Sequence, residues 1–389
     1  MKVFPYNVVL LVGLLLLTIF PFFLYSRVIT IDEAEKAAES HIRYKSSSID
    51  KSLYFKIKFN ESLNRDGVPV IYIFDVEPRG FVIVSGEDNV MPVLAYSIEN
   101  NYGSEPIPAG FTEWLNWCAI QVDEARQKAL LPSFEITSAW KNLLNYDSNS
   151  NMFEKGSKSV SPLMTSLWDQ GAFYNDLCPI DAMGPNGRVW AGCVATSMAQ
   201  VMHYYQFPYQ GNGSHYYIHP VYGYQYADFG STVYDWVPML NSINSSNLPI
   251  ATLLYQCGVS VEMNYSPSGS GAYMGTAAYA LRNHFRYSNT VALYERNDYQ
   301  NSWDDLITSN LDAGRPVIYA GFNPYGSSGH AFVADGYDAG GHFHFNWGWG
   351  GAYNGYFYTS NLNPGSSDFT VGQQAIVNIF PFSAYPPNC

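Results

Sequence analysis

Cys193 follows Trp190, Ala191 and Gly192 and opens the run CVATSMAQVMHYY, in which Ala195, Met198, Ala199 and Met202 recur at helical spacing. Ser, Thr or Asp caps a helix better than Cys does, so a thiol here is placed for its chemistry. Unsatisfied N–H groups and the positive end of the macrodipole gather at a helix start, and both favour thiolate over thiol. The backbone N–H of Cys193 can also face an oxyanion developing on an attacked carbonyl. A nucleophile needs a base, and the base needs an orienting group. His330, in SSGHAFVADGYDAGGHFHFNWGWGG, supplies the first, and Asn346, sixteen residues later, supplies the second. Two arms of about seven residues around a turn at Asp338–Gly341 place positions 330 and 346 side by side on adjacent strands. An Asn carbonyl fixes the imidazole tautomer without adding a full charge, and Trp347 is placed to shield that bond from water. Cys, His and Asn on three separate elements form the thiol version of a nucleophilic triad.

A second oxyanion donor is expected from earlier in the chain. Gln170, in WDQGAFYND, carries a side-chain amide N–H beside Gly171. His342 and His344 fall on one face of a strand and are a candidate metal pair, but no third ligand lies nearby, and neither a metal nor a cofactor is expected. His203, His215, His219 and His284 have no visible catalytic partner. The Gly-rich NWGWGGAYNGYF has neither the lysine nor the spacing of a phosphate-binding loop.

These residues need a frame, and the sequence supplies two different halves. Every lysine lies at or before Lys158, whereas residues 161–389 hold five arginines and fourteen acids, a net of −9 against −4 for residues 1–160. The stretch 146–160 is polar and Ser/Asn-rich, the composition of a cleavable linker. Ahead of it, Thr30 and Glu33 form a capping box that opens a helix through about Tyr44. Short strand-like runs follow at Tyr54–Phe59, Val68–Val76, Gly80–Ser85 and Pro92–Ser97. Phe111, Trp114, Leu115, Cys118, Val122 and Ala125 then make one apolar helical face. Beyond the linker, helices are expected at Cys193–Tyr205, Leu248–Val259, Gly275–Phe285 and Trp303–Leu311, the last capped by Ser302. From Arg315 onward the pattern is strand after strand, separated by Gly-rich turns.

The 389 residues, 47% of them hydrophobic, are enough for two or three packed domains, and the net charge of −13 disfavours nucleic acid. Met1-Lys2 followed by the apolar run Val8–Tyr25 reads as export, through either a cleaved signal or a retained anchor within 1–27, and so as a secreted or membrane-tethered protein. The five cysteines, Cys118, Cys178, Cys193, Cys257 and Cys389, form no CxxC pair and no zinc spacing. Cys118 and Cys257 sit on apolar faces and read as packing residues. An odd count leaves at least one free thiol in a monomer, and local context points to Cys193.

GCVATSMAQVMHYYQFP, QCGVSVEMNYSPSGSGAY, GHAFVADGYDAGGHFHFNWGWGG and WDQGAFYND resemble the streptopain family of secreted bacterial cysteine peptidases, and the upstream GFVIVSGEDNVMPVLAYS resembles that family's propeptide. The resemblance implies an α+β fold: a papain-like peptidase domain at 161–389, with a helical part and an antiparallel sheet, preceded by a small α+β inhibitory propeptide domain at 28–145. It implies Cys193 as nucleophile, His330 as base, Asn346 and Trp347 as orienting and shielding partners, and Gln170 in the oxyanion hole. Substrate contacts would come from Ser270 and Gly329, although the loop at Ser266–Ala272 differs slightly in spacing. Streptopain's mature part resembles a single-cysteine domain, unlike this chain, so Cys178 and Cys257 are left to pair, stay free or pack. The implied partners are protein or peptide substrates and the chain's own propeptide as an intramolecular inhibitor. Acyl transfer to an amine, or a non-catalytic binding or adhesion role on the same scaffold, are the alternatives.

Overall fold

The computed structural model describes residues 26–47, 55–103, 107–146, 158–322, 329–360 and 372–382. The expected signal or anchor at 1–27 lies almost wholly outside the described residues, as do most of the 146–160 linker and Cys389. Among the described residues, no helix is long and apolar enough to cross a membrane.

The capping box forms. Thr30 Oγ1 accepts from the Glu33 N–H at 3.3 Å, and the Glu33 carboxylate accepts from the Thr30 N–H at 3.0 Å, which starts α1 (Ile31–Ser47). Four antiparallel strands follow: β1 (Lys56–Arg65), β2 (Val68–Glu77), β3 (Phe81–Ser85) and β4 (Val93–Ser97). β3 and β4 are buried along their whole length because helices cover both faces. On one face lie α1 and α3 (Phe134–Leu144), and on the other lies α2 (Ala109–Gln127). The sequence reading omits α3, although Ser133 caps it and Ile136, Trp140 and Leu143 bury one stripe at helical spacing.

The second half begins with α4 (Cys193–Tyr205), a hairpin of β5 (Ser214–His219) and β6 (Gly223–Asp228), then α5 (Leu248–Ser260) and α6 (Met274–Asn283). It continues through β7 (Ala292–Glu295), α7 (Trp303–Asp312), β8 (Val317–Phe322), β9 (Gly329–Tyr337), β10 (Phe343–Asn346), β11 (Gly355–Phe357) and β12 (Gln374–Val377). The four expected helices are all present, and Ser302 caps α7 by accepting from the Asp305 N–H. The β5–β6 hairpin and β7 are additions to the sequence reading. α4, α5 and α6 pack with one face of the sheet in a single apolar core that includes Met198, Leu254, Leu281, Val333 and Ile376.

All strands but β5 and β6 join one antiparallel sheet in the order β1-β2-β3-β4-β11-β10-β9-β8-β12-β7. The two halves of the chain therefore share a sheet, and the seam is β4 against β11. Only two residue pairs are registered there, Tyr96 with Tyr356 and Ala95 with Phe357. The Tyr96 and Tyr356 rings stack across it at 5.0 Å. A second apolar core crosses the same seam and brings Phe81, Phe111 and Trp114 against Trp347, Tyr353 and Phe357.

Candidate active site

Gly192 precedes α4 with φ +94°, and a Cβ there would lie 2.6 Å from Met263 Sδ and 3.2 Å from the Ser270 carbonyl oxygen. That close approach leaves Cys193 as the first residue of the helix, with no side-chain cap over its N-terminus. The thiol is partly buried. Burial pushes its pKa up, but the hydrogen bond and charge of His330, with the Ala331 and Val194 N–H groups, outweigh burial and hold it below the ordinary thiol value. Cys118, Cys178 and Cys257 are buried free thiols, and burial alone or chiefly raises all three, Cys178 to about 12. Cys178 and Cys257 are thus packed rather than paired, and among the cysteines with a resolved shift only Cys193 is displaced toward thiolate.

His330 is the second residue of β9, is buried, and lies opposite Gly321 of β8. Its orienting partner differs from the sequence expectation. The hairpin turns later than an even-armed count assumes, pairing Phe343 with Tyr337, so that even after a bulge between His344 and Phe345 moves the register one residue toward His330, Asn346 faces Val333 rather than His330. The imidazole Nε2 instead lies 2.8 Å from the Trp347 carbonyl oxygen and 3.3 Å from Trp349 Nε1. The carbonyl accepts when Nε2 carries a proton, whereas the Trp349 N–H could donate only to the other tautomer, and the shorter carbonyl contact favours the proton on Nε2. The Asn346 amide donates from Nδ2 to the Ser166 carbonyl at 2.7 Å, while its Oδ1 accepts from the Gly348 N–H at 3.2 Å. Trp347 is fully buried with its ring 6.3 Å from the imidazole, and Trp349, absent from the sequence reading, covers another side at 6.2 Å.

Gln170 is buried, and its Nε2 donates to the Gly348 carbonyl at 3.4 Å. Its own carbonyl accepts from the Ala191 N–H, which ties this segment to the turn before Cys193. Ser270 is nearly buried and its Oγ accepts from the Ser266 N–H at 3.0 Å, so its carbonyl rather than its hydroxyl borders Gly192. Gly329, the first residue of β9, is exposed. His342 and His344 do not share a site. His344 Nδ1 meets Asp335 at 2.6 Å and His342 Nδ1 meets Asp338 at 3.3 Å, and no group of three potential metal ligands occurs among the described residues.

The first turn of α2 lies on the His330 imidazole. A Cβ added to Gly110 would be 2.5 Å from His330 Cδ2 and 2.9 Å from its Cβ and Cγ, so only glycine lets the helix approach this far. Overfilling a packed contact costs about 1–3 kcal/mol. Gly110→Ala is therefore expected to speed hydrogen exchange of the β4 and β11 amides by about 5-fold or more. Unchanged exchange would show that this contact does not hold the two halves together.

The seam also carries buried charge. Lys45 of α1 meets the Asp338 carboxylate at 2.6 Å, and the Tyr96 hydroxyl donates to the same oxygen at 2.7 Å. His41 lies beside them, its ring 4.6 Å from Tyr96 and 5.8 Å from His342, and its Nε2 has no partner. Burial first, then Lys45 and His342, hold His41 well below the ordinary histidine value, with Asp338 opposing. The contribution of His41 to docking is complete above about pH 6.5 and is lost as the pH falls below it. His344 behaves oppositely. Burial lowers it, but Asp335 and Glu99 outweigh burial and raise it to about 9, so its contribution is complete below about pH 6.5 and is lost as the pH rises through 9. Docking of the two halves is expected to loosen from pH 7 to pH 5, and His41→Phe to flatten that acid limb. Hydrogen exchange of the β4 and β11 amides measures both, and an acid limb unchanged in His41→Phe would refute the assignment.

A thiol at a helix start, an imidazole on a facing strand and an antiparallel sheet covered by helices define a papain-like cysteine peptidase, here with a second α+β domain laid on the site. Residues 168–357 match the Peptidase C10 family and residues 26–122 match the Spi protease inhibitor family. The chain belongs to the Peptidase C10 family of cysteine peptidases. It is 31% identical to a Prevotella intermedia prointerpain A fragment of known structure, with a TM-score of 0.67 over 84% of this chain and 100% of that one. It is 30% identical over 381 residues to the thiol protease/hemagglutinin PrtT of Porphyromonas gingivalis, covering 94% of this chain but only 41% of that protein. Streptopain of Streptococcus pyogenes is 29% identical over 343 residues, 80% of this chain and 81% of that protein.

Proposed function

We propose that this chain is an exported cysteine endopeptidase made as a zymogen, with 28–145 as the inhibitory domain, 146–160 as the cleaved linker and 161–389 as the active enzyme. One observation carries the reading: among the described residues, the only thiol displaced toward thiolate contacts His330, and Gly110 of the preceding domain packs on that same imidazole. The apolar run Val8–Tyr25 and the naming of streptopain and PrtT among the relatives support export and proteolysis.

In the processed enzyme the Cys193 thiolate attacks a peptide carbonyl. The N–H of Cys193 and the amide of Gln170 stabilise the tetrahedral oxyanion. The His330 imidazolium gives its proton to the leaving amine as the C–N bond breaks, which leaves a thioester on Cys193. Neutral His330 then takes a proton from water, whose oxygen attacks the thioester. Collapse releases the acid, returns Cys193 to thiolate and leaves His330 charged again. The Trp347 carbonyl holds the Nε2–H through this cycle, Asn346 steadies that carbonyl by bonding both sides of the strand end, and the indole of Trp347 keeps water from the pair. Ser270 and Gly329 border the cleft and contact the substrate backbone.

Mass spectrometry of peptides released from a denatured protein mixture tests the reading. Internal cleavages by the processed protein, together with a mature N-terminus inside 146–160, are the expected result. Products joined to an added amine, with no hydrolysis, would indicate acyl transfer, and no product at all would indicate a binding protein.

A further inference from the structure

Gln200 is a fully buried polar residue on α4, two turns after Cys193. Its environment is specific. Oε1 accepts from Ser166 Oγ at 3.2 Å and from the Trp168 N–H at 3.2 Å, and Nε2 donates to Asn346 Oδ1 at 3.3 Å. Asn346 closes the ring by donating to the Ser166 carbonyl. One amide thus touches the nucleophile helix that carries it, the segment that leads into Gln170, and the strand end that leads into the Trp347 carbonyl. A helix that needed only a core contact here would use Leu or Met, as it does at Met198 and Met202, because an unpaired buried amide is costly.

We propose that Gln200 is a positioning residue for the peptidase reaction, fixing which way the Asn346 amide points and so holding the carbonyl that orients His330. Asn346 can present either oxygen or nitrogen to a neighbour. The Gln200 N–H selects Oδ1 on that side, which leaves Nδ2 for Ser166 and lets the same Oδ1 take the Gly348 N–H. Gly348 follows Trp347 directly, and its carbonyl receives the Gln170 amide. With the Asn346 amide reversed, the Gly348 N–H faces a donor, the strand end moves, and both the His330 acceptor and the Gln170 contact move with it.

The inference rests on the peptidase mechanism above, and the test separates the two. Processed enzyme carrying Gln200→Glu keeps the Ser166 and Trp168 donors but has no N–H for Asn346. Gln200→Met keeps the volume and removes every bond. Both are expected to lower kcat about 30- to 100-fold with KM little changed, the size expected for an ångström-scale misplacement. The kcat/KM profile should also depart from wild type on its alkaline side, because the carbonyl that accepts from the imidazole N–H has moved. Asn346→Ala should reproduce both changes, and adding it to Gln200→Met should cost nothing further, since the two act through one bond. A residue that merely packs would lower the melting temperature, leave kcat and the profile at wild-type values, and give multiplicative losses in the double variant. That pattern overturns the inference, as does a wild-type profile in Asn346→Ala should the Gln200 variants not fold. If Cys193→Ala stays active, the mechanism itself fails; if it is inactive while the Gln200 variants are normal, only the positioning role fails.

Discussion

Cys193→Ala is expected to abolish turnover, with kcat reduced about 10⁴-fold or more, and to leave the chain unprocessed. The size follows from what is removed. The sulfur forms the covalent bond, and neither His330 nor an oxyanion donor can replace it, so loss of the nucleophile costs as much as loss of the whole triad. The fold should not notice. Cys193 is partly buried at a helix start, and Ala is a good helix residue, so a melting temperature within about 2 °C of wild type is expected. Peptide hydrolysis and gel analysis of the purified variant measure the two readouts. Persistent hydrolysis would place the chemistry on another residue, and loss of both activity and folding would make the variant uninformative about mechanism, which is why the melting curve belongs with the assay.

Lys45→Met carries the second large effect, and it falls on the docking of the two halves. Lys45 and Asp338 are both largely buried and lie on opposite sides of the seam. Removing one partner of such a pair leaves the other charge uncompensated, which costs about 3–5 kcal/mol. The lower end applies because Asp338 retains the Tyr96 hydroxyl, the Gly340 and His342 N–H groups and the His342 ring. About 3 kcal/mol corresponds to roughly 150-fold weaker docking. In a Cys193→Ala chain, which cannot cleave itself, the amides of β4 and β11 should exchange faster by about that factor. Exchange unchanged from the parent would mean that the ion pair contributes no net stability. If the chain is processed as proposed, the same loss should bring activity on earlier.

What could be read in advance depended on distance along the chain. The capping box at Thr30 and Glu33, the Ser302 cap and the Gly192–Cys193 helix start each occupy four residues or fewer, and the structure has all of them. The β9–β10 hairpin was equally local, but its register was not, because the Gly-rich turn carries no mark of where it is centred and a small slip decides which residue faces His330. β7, four residues long, was too short for periodicity to show. α3 and the Tyr-rich β5–β6 hairpin did carry patterns, the latter with exposed Tyr216, Ile218 and Tyr224 alternating with more buried neighbours. The contacts that join the two halves were beyond reach. Gly110 on His330 spans more than two hundred positions and Lys45 on Asp338 spans 293, and neither pair contains an unusual residue type. Gln200 looked like one polar residue on an apolar helix until its three partners were placed around it.

The narrowness of the β4–β11 junction has a consequence for what is left behind. In the proposed cleavage, which removes the N-terminal domain, β11 would become the raw margin of the enzyme's sheet. A margin is hazardous when it is long and flat, because its bare amides recruit foreign strands. This hem is three residues long and begins at Gly355, so it gives an intruding chain almost nothing to stitch onto. The same shortness, two paired residues across the seam, would leave the enzyme freed by the proposed cleavage without a sticky border.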